Sequence, residues 1–216
     1  MCMVYTQELK SYNHMPASFA KWQHKFPLPA PENTRHLGTI YSAEISLPTQ
    51  LLKQWWRYSQ KSPYAEMTDD LQRMSTVERY ANWLLTKNIM RRFYWQLDGG
   101  GDLLALAWIT IGKKLNSKKI KLNSGINPKI LEYNTTAAVR VFGELGRGTG
   151  TAFSSSLLHH AIKTYDQITG IWVSIKTVNA ASLRMNQKLG FTIIGASSDG
   201  QTQHAVKSID GSSLDL

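Results

Sequence analysis

The chain has 216 residues, 42% of them hydrophobic, and a formal charge of +10 at pH 7. That length suits one domain with room for an extension, and no apolar run approaches the roughly 18 residues a membrane span needs. The single cysteine, Cys2, excludes an internal disulfide and a thiolate zinc cage. The opening MCMVYTQELKSYNHMP has no apolar signal core, so a reducing cytoplasm is the expected setting. The positive charge favours polyanionic partners: nucleic acid, a membrane surface or a phosphorylated cofactor.

Residues 1–36 show no regular pattern, and FPLPAP (Phe26 to Pro31) reads as an extended linker because proline denies helix. HLGTIYSAEISL predicts a first strand. TQLLKQWWRYSQ predicts a helix opening at Thr49, just after Pro48. SPYAEMTDD reads as a loop. STVERYANWLLTKNIM begins with a capping box, Ser75 with Glu78, and continues with helical spacing of apolar residues. RRFYWQL and LLALAWITIG are β-type runs, joined by Asp98-Gly99-Gly100-Gly101-Asp102 as a hairpin. KKLNSKKIKLNSG is basic and turn-rich. TTAAVRVFG is a strand, TAFSSSLLHHAIKTY a helix, GIWVSIKTV a strand, and NAASLRMNQKLG a helix stopped by Gly190. FTIIGAS and QTQHAVKSI complete the series as strands. This order predicts an α/β fold with a mixed sheet. The expected domain boundaries are an N-terminal extension over 1–37, one domain over 38–209 and a loose tail over 210–216.

The stretch GELGRGTGTAF places four glycines where the strand ending near Phe142 gives way to a helix. Glycines there let the backbone turn sharply and approach a ligand. Free amides and the helix dipole then favour a phosphate, to which Arg147 adds a charge. The Walker pattern fails, because Thr149 stands where lysine is required. The dinucleotide pattern GxGxxG fails as well, with Thr151 or Phe153 at the third glycine. Arg147-Gly148-Thr149-Gly150-Thr151-Ala152 does match [QR]-x-x-G-x-[GA], and WVSIKTVNAASLRMNQKLGF follows at a fitting distance. With these two motifs the chain resembles the GNAT superfamily of acyl-CoA N-acyltransferases, strongly from about Thr135 to Gly195 and in element order back to about Gly38.

The resemblance implies a mostly antiparallel central sheet flanked by helices, with a splayed strand pair forming the acyl-CoA cleft. Carried onto this sequence, the strand from Arg140 to Gly143, with Val141 and Phe142 central, meets the pantetheine arm. Amides from Arg147 to Ala152 hold the pyrophosphate. Asn179 touches the pantetheine or caps the next helix. A leaving-group acid, Tyr in many members, is replaced here by Asn186, which cannot give up a proton. Ser182, one turn earlier, is the alternative. The strand before the loop lacks the carboxylate base of many members. Glu144 and Glu132 flank it, and Tyr64, Glu66, Asp69 and Asp70 lie in the loop that borders the acceptor by analogy.

The expected activity is acetyl transfer from acetyl-CoA to an amine by direct attack, with proton removal through water or a loop carboxylate and no metal. A poor base favours a low-pKa acceptor. Neutralising a lysine of pKa about 10.4 at pH 7 costs about 4.6 kcal/mol, and an α-amine of pKa about 7.8 only about 1 kcal/mol. The expected acceptor is therefore a small-molecule amine or the α-amine of a peptide. The alternative is a catalytically impaired module that senses CoA or binds nucleic acid. No membrane partner is expected, and a homodimer is left open. Trp55, Trp56 and Tyr58 among Lys53, Arg57 and Lys61 read as core with solvated charges rather than a base-stacking platform. His159 and His160 lack metal-ligand spacing.

Overall fold

The structure is a computed structural model that describes residues 24–26, 40–43, 47, 49–62, 64–73, 75, 79, 82–83, 86, 89–142 and 148–209. Nine strands form one sheet: β1 (His24–Phe26), β2 (Ile40–Ala43), β3 (Met90–Leu97), β4 (Leu103–Ile111), β5 (Ile120–Leu122), β6 (Thr135–Val141), β7 (Gly170–Lys176), β8 (Thr192–Ser197) and β9 (Thr202–Ser208). The helices are α1 (Thr49–Ser59), α2 (Tyr64–Met67), α3 (Asp70–Arg73), α4 (Thr149–Thr164) and α5 (Ala180–Lys188). The sheet order is β1-β2-β3-β4-β6-β7-β9-β8-β5. Every neighbour is antiparallel except β6 and β7, the pair joined by the crossover through α4. No helix among the described residues is long and apolar enough to cross a membrane.

Three points differ from the sequence reading. A short strand, β1, lies within the stretch read as irregular and pairs with β2. The loop SPYAEMTDD is partly helical, as α2 and the start of α3. The basic run after Gly112 contains β5, which pairs with β8. The helix read over 75–90 falls largely outside the described residues; Arg79, Asn82 and Trp83 within it are helical, and Met90 already belongs to β3.

Strand alternation sends side chains to two faces. On one, Ala107, Ile109, Ala137, Ile171 and Val173 pack with Phe153, Leu157 and Ala161 of α4. On the other, Phe93, Trp95, Leu106 and Trp108 pack with Leu51 and Trp55 of α1. Trp55 is fully buried and its ring lies 5.2 Å from that of Trp108, so this tryptophan is core. Full burial of side chains this large contributes about 2–3 kcal/mol each. A third cluster, of Leu115, Ile130, Trp172, Ile194 and Val206, closes the β5 end of the molecule.

Candidate active site

The sheet is interrupted between its two parallel neighbours. β6 and β7 pair only at Thr135↔Ile171 and Thr136↔Trp172. Beyond those pairs the strands separate, while β6 stays paired with β4 along its whole length. A cleft of about 300 Å³ occupies the separation. It passes through the sheet: Val139, Leu157, Val173, Ser182, Met185 and Asn186 line the α4 side, and Arg73, Trp83, Trp108, Lys113, Arg140 and Ser174 line the α1 side. One wall is neutral, mixing aliphatic side chains with Ser182 and Asn186, and the other is basic and aromatic.

Backbone register decides which amides face the cleft. The Phe142 N–H donates to Leu104 O at 2.8 Å. Antiparallel pairing alternates, so the amides of Arg140 and Ala138 also turn toward β4, and those of Val139 and Val141 turn away into the separation. Here the structure departs from the sequence expectation for Phe142. Its amide is occupied by β4, and its ring stacks on Tyr58 at 4.4 Å and meets Tyr64 at 5.5 Å. The Val141 amide is on the side of β6 that faces away from β4. Gly143, Glu144 and Arg147 lie outside the described residues.

At the mouth of α4, Gly148 is the N-cap with φ 79° and no side-chain cap bond. A left-handed N-cap suits glycine, since other L-residues pay about 1–2 kcal/mol there. The first-turn amides of Thr149, Gly150 and Thr151 have no acceptor within the helix. The Ala152 amide donates to Gly148 O at 3.0 Å, so it is occupied, contrary to expectation. Gly150 also sits in a tight place. A Cβ there would sit 3.0 Å from Val141 Cγ2 and 3.2 Å from Met185 Sδ, so its missing side chain lets α4 close against the cleft wall.

Asn179 caps α5, its side chain accepting from the Ser182 amide at 3.0 Å. Asn186 is buried and donates to Ser182 O at 2.9 Å and to Ser182 Oγ at 3.4 Å. The sequence-predicted pair Ser182 and Asn186 thus share one turn of α5 and both line the cleft.

The segment from α2 to α3, at the rim of the cleft, is held by one carboxylate. Asp70 is fully buried and accepts from Arg140, Arg73, Trp55 Nε1 at 2.9 Å and the Tyr64 hydroxyl at 2.7 Å. Burial alone would raise its pKa, but the Arg140 charge and hydrogen bonds, with Arg73 behind them, hold it well below the ordinary carboxylate range. Asp70 is therefore a structural anion and no base. Tyr64 is fixed with it: burial, opposed by Arg140 and reinforced by Asp70, pushes its phenol well above the usual value. Glu66 is exposed, accepts from Ser62 Oγ at 2.7 Å and does not line the cleft. Asp69, on the cleft rim, pairs with Lys176 at 3.2 Å. Arg73, Trp83, Trp108, Ser174 and the Arg140 side chain line the cleft without belonging to any short motif, because only the fold brings them there.

No family model matches the sequence, and no curated protein matches it. Solved structures do match. The aminoglycoside acetyltransferase AAC(6')-Ib in complex with coenzyme A is 14% identical, over 79% of this chain and 95% of that one, with a TM-score of 0.53. The fold is that of the GNAT acetyltransferases. The same enzyme with acetyl-CoA and paromomycin matches at a TM-score of 0.53, with 14% identity over 79% and 94% of the two chains. An aminoglycoside N(6')-acetyltransferase of Legionella pneumophila is 12% identical, over 79% and 92%, at 0.52. At such identities the likeness fixes the GNAT fold, with its mixed sheet and parted parallel strands.

Proposed function

We propose that this protein is an acyl-CoA-dependent N-acetyltransferase that uses acetyl-CoA and acts on a small-molecule amine or a peptide α-amine. The parted strands β6 and β7, leading to a glycine-capped helix, carry the reading. The residues present fit acetyl-CoA. Val139 and Val141 turn backbone donors into the cleft. The left-handed Gly148 leaves the first amides of α4 without a side-chain cap, and an added Cβ at Gly148 would meet no atom of the described residues within 4 Å beyond its chain neighbours. Bound there, acetyl-CoA supplies the acetyl group as an activated thioester. The amides of Thr149, Gly150 and Thr151 hold the diphosphate, aided by Arg147, and Gly143, just past β6, meets the pantetheine arm. The Val141 amide, in place of that of Phe142, orients and polarises the thioester carbonyl. Asn179 acts as a helix cap, and Asn186 and Ser182 shape the leaving-group side. Holding both reactants in one cleft supplies much of the rate.

Support for the acceptor class is chemical. The loop carboxylate Asp70 is occupied by arginines and Glu66 is turned away, so the site favours an amine that is readily neutral near pH 7. The solved neighbours hold aminoglycosides, which are small-molecule amines. The test is a thermal shift with acetyl-CoA beside CoA, ATP, NAD and a nucleic-acid duplex, followed by an amine screen. Ligand at about 100 times its Kd stabilises by about 2.7 kcal/mol, a shift of several degrees. A shift with both CoA species, and faster acetylation of α-amines than of lysine side chains, is expected. A salt-dependent shift with the duplex and none with CoA would favour a nucleic-acid-binding module instead. A shift with CoA but no transfer to any amine would favour a sensor.

A further inference from the structure

β6 carries no carboxylate, Asp70 is held by Arg140 and Arg73, and Glu66 does not line the cleft. A different pair of groups stands there. Ser174, on β7, lines the cleft and is exposed to it. It lies two residues past the last β6–β7 pair, on the face shared by Trp172, where the strands have begun to part. Directly behind it, across the β7–β9 register, is His204. The Ser174 Oγ and His204 Nδ1 are 2.9 Å apart. His204 is buried at 8% exposure, and its Nε2 has no hydrogen-bond partner among the described residues. An ordinary packed histidine satisfies both nitrogens, so a buried orphan nitrogen asks for an explanation.

We propose that Ser174 and His204 form a proton relay, Ser174 meeting the acceptor amine and His204 taking the proton through it. The proposal rests on the acyl-transfer reading of the cleft. The amine nitrogen forms a bond to the acetyl carbon as the carbon–sulfur bond breaks, and the sulfur leaves with the electron pair as thiolate. The amine proton passes to Ser174 Oγ, and the serine's own proton passes to His204 Nδ1. The resulting imidazolium returns its proton by the same route to the cleft, where the thiolate or solvent takes it. The imidazole must be neutral to begin, and burial, which lowers its pKa below 6.5, keeps it so. The charged groups around it do not reverse this. On β7 the same face carries Lys176, whose ammonium is drawn away to Asp69 and to the carbonyls of Glu66 and Thr68. Lys113 lies over the Trp172 ring. β8 bears no ionisable residue, and Lys121 of β5 pairs with Ala196, in the row of the opposite face.

The test uses the full chain and three variants: Ser174→Ala, Ser174→Thr and His204→Gln. Each is checked for folding and for its thermal shift with acetyl-CoA. Release of free thiol from acetyl-CoA is then followed against pH, with glycinamide as α-amine and with water alone. Nitrogen NMR of the histidine rings is recorded without ligand. The expected result is an Nε2–H tautomer at His204 that titrates below about 6.5. Ser174→Ala and His204→Gln keep the thermal shift and KM, lose kcat by on the order of 100-fold, and lose the acid limb of the pH profile. Ser174→Thr, which keeps the hydroxyl, recovers most of the rate. Variants that turn over within a few-fold of the parent with the acid limb intact overturn the relay. So does an Nδ1–H tautomer, which the parent protein reports even if a variant fails to fold. No thermal shift of the parent with acetyl-CoA, or a shift without transfer to any amine of the screen, overturns the acyl-transfer reading and the relay with it, whereas the variant rates and the tautomer overturn the relay alone.

Discussion

Arg140 and Asp70 stand 70 positions apart in the chain and meet as a two-pronged ion pair, Nε to Oδ2 at 2.6 Å and Nη2 to Oδ1 at 2.9 Å. The guanidinium comes from the strand that opens the cleft, and the carboxylate from the first residue of α3, between the cleft-lining Asp69 and Arg73. The guanidinium also lies 4.9 Å over the Trp108 ring. One contact thus ties α3 to the cleft wall.

Asp70→Asn removes the anion and leaves Arg140 and Arg73 facing each other in a buried site. Breaking such a pair costs about 3–5 kcal/mol, which urea unfolding will read as a lower midpoint. The native carboxyl titrates below its unfolded value. Its contribution is therefore present above the ordinary carboxylate pKa of about 3.9 and is lost as pH falls below it. Asp70→Asn flattens that acid limb of stability.

Gly148→Ala and Gly150→Ala separate two uses of glycine. At Gly148 the φ of 79° makes alanine strained, with an expected loss of about 1–2 kcal/mol. At Gly150 helix propensity favours alanine by up to about 1 kcal/mol. The new methyl there presses on Val141 and Met185. Stability should stay close to the parent while the acetyl-CoA thermal shift shrinks. Thermal unfolding with and without acetyl-CoA checks both.

His204 gives stability its own pH dependence. Burial lowers its pKa in the folded state, so the unfolded chain binds the proton first as pH falls. Stability is full above about pH 6.5 and declines below it, by at most about 1.4 kcal/mol per pH unit, until the folded-state pKa is passed. Unfolding midpoints between about pH 5 and 8 should show this decline in the parent, and His204→Gln should lose that component.

Asp69→Asn separates a loop carboxylate from the relay as base. Asp69 is 65% exposed in its 3.2 Å pair with Lys176, so stability should change by less than about 1 kcal/mol. Turnover should stay within a few-fold of the parent. A loss on the order of 100-fold would move the base to Asp69.

The part of the chain after Thr135 was legible because its patterns are strong. TTAAVRV and GIWVSIK read as strands, Gly148 and Gly190 mark a helix start and a helix stop, and Asn179 caps as its position implies. The segment from α2 to α3 was not legible. SPYAEMTDD looks polar, and only tertiary structure shows that Asp70 is fully buried among Arg140, Arg73, Trp55 and Tyr64. Phe142 was misread because its motif position says nothing of which neighbour its amide faces. The Ser174–His204 contact joins residues 30 apart on adjacent strands, and no short motif encodes a cross-strand pairing.

The two-pair contact between β6 and β7 has a mechanical meaning. On one side lie β1 to β4 with β6, each strand laddered to the next; on the other lie β7, β9, β8 and β5. Across the seam the backbone is laddered over two residue positions only, so the sheet is a pair of stiff panels on a short hinge. The proposed acetyl-CoA, wedged between the panels, would restore the missing rungs. Amide hydrogen exchange at Val139 and Val141 should then slow far more than in the middle of β4, where the ladder is already complete.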